Sequence, residues 1–72
     1  MVTVANYGEQ RLLQDGSVAV QFDFRGSSAD EMPTEYGGAK VDNGSTYLCV
    51  DAGHAGELFT FDFTEHIWNE VK

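Results

Sequence analysis

Hydrophobic and polar positions alternate along this chain with a period of two. In "VAVQFDFRG" (18–26), Val18, Val20, Phe22 and Phe24 fall on one side of an extended segment, and Ala19, Gln21 and Asp23 fall on the other. "LFTFDFTEH" (58–66) repeats the pattern, with Phe59, Phe61 and Phe63 alternating with Thr60, Asp62 and Thr64. A pleated strand explains the Phe-Asp-Phe triplet that both segments contain. The two rings enter a core, and the aspartate between them meets water.

Turn residues divide the rest of the chain. "QDGS" (14–17) separates "RLL" from "SVAVQFDF", and "DNGS" (42–45) separates "AKV" from "TYLCVD"; both read as hairpin turns. "AGHAG" (52–56) links "TYLCVD" to "ELFTFDF". "VTVA" (2–5) reads as a short strand broken by "NYG", and "PTEYGGAK" (33–40), which lacks a period, reads as a loop. Two segments carry helix patterns. "SSADEM" (27–32) has a serine cap, acids in its first turn and Pro33 after it. "TEHIWNEVK" (64–72) has Thr64 as an N-cap, Ile67, Trp68 and Val71 spaced for one apolar face, and Lys72 suited to the helix dipole. The expected fold is a single α+β domain over residues 1–72. It is a small antiparallel sheet of five or six short strands, a meander of hairpins, with a short C-terminal helix packed on it. Which face of "TYLCVD" is buried stays open, because Leu48 and Val50 compete with Tyr47 and Cys49.

Length and charge narrow the functional classes. A chain of 72 residues buries only about 60% of its unfolded surface, so its core is small. The single Cys49 cannot form an internal disulfide, and in mid-strand it reads as a small hydrophobe. Twelve acids against four bases give a net charge of −8, with a pI near 4.3. Binding to nucleic acid or to an anionic membrane requires the opposite sign. No apolar run approaches the ~20 residues of a spanning helix, and "MVTVANYGEQ" has no basic n-region or apolar h-region. A cytoplasmic location is expected, which makes "NGS" (43–45) a turn and not a glycosylation site.

Catalytic patterns are weak. His54 lies between Asp51 and Glu57, which is the composition of a carboxylate–imidazole metal site, but the setting reads more simply as a polar turn. His66 stands beside Glu65, and adjacent residues of a helix do not face each other. No phosphate loop, dinucleotide fingerprint, paired cysteines or nucleophile elbow occurs. The expectation is a non-enzymatic protein with no cofactor and no metal.

The acids themselves remain. Asp23, Asp62 and Asp51 are expected to project from strands, with Asp30, Glu31 and Glu35 in the central segment and Tyr36 and Trp68 as aromatic anchors for a partner. Carboxylates on neighbouring strands stand about 4.8 Å apart, a spacing that approximates a phosphate track. In size, charge and lack of catalytic motifs the chain resembles the small inhibitors that phages encode against host defence, anti-CRISPR and antirestriction proteins among them. That likeness is of type, and no residue is carried over from it. It implies an inhibitor that blocks a basic nucleic-acid-binding protein or complex, by DNA mimicry or by plugging one basic pocket. The alternative is a structural or adaptor module, homodimeric through its sheet edges, whose acids serve solubility. Clustering of the acids on one face favours the first reading, and an even scatter favours the second.

Overall fold

In the computed structural model, which describes residues 2–71, every regular element is a strand. In chain order these are β1 (Thr3–Leu12), β2 (Val18–Gly26), β3 (Glu35–Tyr36), β4 (Ala39–Val41), β5 (Thr46–Cys49), β6 (Leu58–Asp62) and β7 (Ile67–Val71). They form one curled, mixed sheet, an open half-barrel. β2 is its centre. It pairs antiparallel with β1, parallel with β4 beside Ala19 and Val20, and parallel with β5 beside Asp23–Gly26. β6 and β7 then add antiparallel beyond β5.

The expected α+β class and the purely antiparallel order are therefore corrected. The C-terminal segment is not a helix. Asp62 Oδ1 accepts hydrogen bonds from the backbone N–H groups of Thr64 (3.0 Å) and Glu65 (3.2 Å), so Thr64 sits inside a turn instead of capping a helix. His66, at φ 56°, completes the reversal, and Ile67–Val71 returns along β6 with Phe61 opposite Trp68. Ile, Trp and Val are strand formers, and β6 offers a complete ladder. The residues at 27–32 form a turn, with Asp30 N–H donating to Ser27 O at 3.1 Å, and not a helical turn. The segment read as a loop at 33–40 contains the β3–β4 hairpin, closed by Gly37 and Gly38 at φ 60° and 84°.

"DNGS" (42–45) is not a hairpin turn. The chain enters and leaves it running the same way along β2, so β4 and β5 act as one interrupted strand. Three bonds carry the ladder across the interruption. Asp42 N–H donates to Val20 O, Phe22 N–H donates to the buried Ser45 Oγ at 3.1 Å, and Phe61 N–H donates to Ser45 O. Arg11 clamps the insertion from β1, donating through Nε and Nη2 to the two oxygens of Asp42 at 2.7 and 2.8 Å. Its guanidinium carbon lies 5.1 Å from the Phe63 ring centroid.

The core lies on the inner face of the curl. Phe22, Phe24, Val41, Tyr47, Cys49 and Phe61 are buried there, and Val4, Val20, Phe59, Phe63 and Trp68 pack against them. Both Phe-Asp-Phe triplets follow the expected parity: Phe22, Phe24 and Phe61 point in, and Asp23 points out. On β5 the inner residues are Tyr47 and Cys49, while Val50 is exposed. Tyr47 is fully buried, and its hydroxyl donates to Ser27 O at 2.9 Å.

Candidate functional site

Register places a polar row across the outer face of the sheet: Asn6, Asp23, Thr46, Thr60 and Asn69 stand side by side on β1, β2, β5, β6 and β7. Asp23 sits in this row and accepts a hydrogen bond from Thr46 Oγ1 at 2.8 Å. Asp62 lies on the same face, two residues beyond Thr60. The sheet thus places two of the acids singled out from the sequence on one face, two strands apart.

The others lie elsewhere. Asp51 follows β5 and takes both the N–H (3.0 Å) and the hydroxyl (2.7 Å) of Ser28, which follows the parallel end of β2. Asp30 is in the same turn and accepts from Ser27 N–H. Glu35 lies on β3 opposite Lys40, and Glu31 is exposed just before the hairpin. His54 Nδ1 pairs with Glu57 at 3.0 Å, while Asp51 turns to Ser28, so the three side chains do not converge.

All six aspartates accept hydrogen bonds from within the fold, a feature that charge counting did not reveal. Asp15 takes the N–H and hydroxyl of Ser17 and pairs with Lys40 at 3.3 Å, while Asp42 takes Arg11 and Asn43 N–H. Asp23, Asp30, Asp51 and Asp62 are bonded as described above. For Asp15, Asp42 and Asp51 these bonds favour the charged form. The Ser17 hydroxyl and N–H, with Lys40, lower Asp15 to about 2. The Arg11 hydrogen bonds hold Asp42 below the ordinary carboxylate range, and Ser28 does the same for Asp51. Arg11 and Lys40 are both engaged by acids and Arg25 makes no ion pair with a described residue, so Asp23, Asp51 and Asp62 have no lysine or arginine partner among the described residues. They are negative charges held in fixed directions.

Aromatic residues build a second feature, on the inner face. Trp68 lies inside the core margin: it donates Nε1–H to Pro33 O at 3.0 Å and packs against Phe61, Phe24 and Tyr47. Tyr36, by contrast, is 37% exposed on β3 and leans edge-on over Phe22 and Phe24. Facing it across the sheet, Tyr7 on β1 is 63% exposed and stands at 61° to the Phe22 ring, 5.5 Å between centroids. The two tyrosines wall a cleft of about 340 Å³, with Val20, Phe22 and Ala39 beneath and Gly8, Gln10 and Gly37 beside them. A larger outer depression of about 480 Å³ includes Asn6, Asp23, Arg25 and Leu58.

Sequence reasoning named Tyr36 but not Tyr7. Register shifts between Val4 and Asn6 and between Tyr7 and Gln10 break the alternation of β1, so its inner positions cannot be counted from the sequence.

No family model, curated protein or solved structure matches the chain. Among the described residues no helix is long and apolar enough to cross a membrane, and no cluster of histidine, cysteine and acidic side chains is arranged to hold a metal ion.

Proposed function

We propose that this chain is a non-enzymatic, acidic binding protein of the cytoplasm that occupies a basic, nucleic-acid-binding surface on a partner protein or complex. This is the mode of action implied by its likeness to small phage inhibitors. One observation carries the reading: the aspartates are oriented by internal hydrogen bonds on a chain whose net charge is −8. A coat that serves only solubility needs charge but not direction. A carboxylate already fixed in place loses little side-chain entropy when a partner arrives. The acids occupy the outer face, one end and the β3–β4 hairpin and do not form one continuous track. That scatter counts towards the solubility reading and against mimicry of an extended duplex, so the inhibitor reading rests on the fixed carboxylates and takes the form of contact with one limited basic site.

A second reading rests on the sheet edges. β1 and β7 each pair on one side only, and Ile67 and Val71 are half exposed on β7. A second copy joined edge to edge would complete the curl, although a charge of −8 on each copy opposes it. Affinity capture distinguishes the two. The inhibitor reading predicts recovery of a nucleic-acid-binding protein that salt or competing DNA releases, and the module predicts recovery of the chain alone.

A further inference from the structure

We infer that the cleft between Tyr7 and Tyr36 receives an arginine side chain from a segment of a partner protein, an assignment that rests on the reading of the chain as an acidic binding protein. Three observations converge on it. The walls are two exposed tyrosine rings whose floor, Val20, Phe22 and Ala39, is apolar. A guanidinium is planar and weakly hydrated, and it stacks on aromatic faces, whereas an ammonium keeps its water. The cleft holds about 340 Å³, at the small end of ligand sites, which suits one long side chain better than a folded element. Gly37 contributes no side chain to its lining, and the space where one would stand is open, so backbone carrying the arginine can approach closely there.

Charge selects the occupant. Exposed aromatic rings alone would accept any apolar group. Here no lysine or arginine among the described residues lines the cleft, and the chain around it carries a net charge of −8. Among the described residues, the arginine placed over an aromatic ring within the fold is Arg11, over Phe63, and Asp42 already holds it. The cleft is therefore complementary to a cation supplied from outside.

The test is an NMR titration of the intact chain with a short arginine–glycine peptide, and with the same peptide carrying citrulline, which keeps the shape and removes the charge. The expected result is saturable shifts of the Gly8, Gln10 and Gly37 amides with the arginine peptide. The citrulline peptide should bind about tenfold more weakly, as should the arginine peptide to Tyr7→Leu. Tyr7 is mostly exposed, so that variant keeps the fold, and unchanged amide dispersion verifies it. Shifts confined to the surroundings of Asp23, Asp51 and Asp62 would overturn the cleft assignment and leave the acidic reading standing. Equal binding of the citrulline peptide would overturn the assignment of a cation. No saturable shift with either peptide would remove the cleft and weaken the reading beneath it.

Discussion

Gly26, at the end of β2, faces the buried ring of Tyr47, and a methyl group there is the sharpest probe of the inner packing. A Cβ on Gly26 would overlap Tyr47 Oη and stand 3.0 Å from Tyr47 Cζ. The ring cannot retreat freely, because it is fully buried and its hydroxyl is bonded to Ser27 O. Overpacking of this kind costs about 1–3 kcal/mol, partly offset by the lower chain entropy of alanine in the unfolded state, about 0.4–1 kcal/mol. Tyr47→Phe alone removes one hydrogen bond, worth about 1 kcal/mol. The loss stays small because Ser27 O also accepts from Asp30 N–H. In the double variant the overlapping oxygen is gone, so Gly26→Ala costs less in the Tyr47→Phe background than in the wild type. The reasoning predicts a coupling of about 1–2 kcal/mol, in a domain whose whole stability is on the order of 5 kcal/mol. Urea unfolding followed by the fluorescence of Trp68, the only tryptophan, reads it directly. If the two costs add to within about 0.5 kcal/mol, Tyr47 does not stand over Gly26 and the β2–β5 register is wrong.

Phe22→Ala and Phe61→Ala, at 2% and 4% exposure, should each cost about 3–5 kcal/mol in the same assay, and an unchanged midpoint would refute the assigned faces. Stability should rise as pH falls from 8 towards 5. Glu57 raises the His54 pKa, so that contribution is present below the ordinary value of 6.5 and lost as pH rises through the folded value, and approach to the pI relieves self-repulsion. Below about pH 4 the trend should reverse, because Asp15, at about 2, and Asp42 and Asp51, also lowered, stabilise above their unfolded value of 3.8 and lose that contribution as pH falls through their folded values. A urea midpoint that declines steadily from pH 7 to 5 would contradict this.

The parts of the fold legible in the sequence are those where local pattern and tertiary outcome agree. Strict alternation placed Phe22, Phe24 and Phe61 inside and Asp23 outside, and Asp15-Gly16 closes a hairpin between β1 and β2. Ile67, Trp68 and Val71 misled because their spacing suits one face of a helix, whereas in β7 Trp68 turns inward opposite Phe61 and Ile67 and Val71 are left half exposed on the other face. The free edge of β6 and the Asp62 turn decided for the strand. Asn43-Gly44 misled in a different way. Such a dipeptide ordinarily reverses the chain, but here the Ser45 hydroxyl fills the missing rung of β2 and lets the strand resume in parallel. That bond joins residues 22 and 45, a separation that no local window spans. The candidate site was half legible for the same reason. The number of acids and Tyr36 stand in the sequence, whereas the orientation of the aspartates and the approach of Tyr7 to Tyr36 arise only from pairing.

The central claim is that the carboxylates of Asp23 and Asp62, fixed on the outer face, engage a partner. The direct measurement compares the wild-type chain with Asp23→Asn/Asp62→Asn, each tagged and used for capture from the lysate of its source cells at low and then high salt. Asparagine keeps an oxygen to accept from Thr46 and from the 63–66 turn, so melting should hold within a few degrees while two charges are lost. The account predicts a nucleic-acid-binding partner on the wild type, released by salt or by competing DNA, and retained about tenfold less by the variant. Equal retention by the two proteins, or recovery of nothing beyond the chain itself, would contradict it.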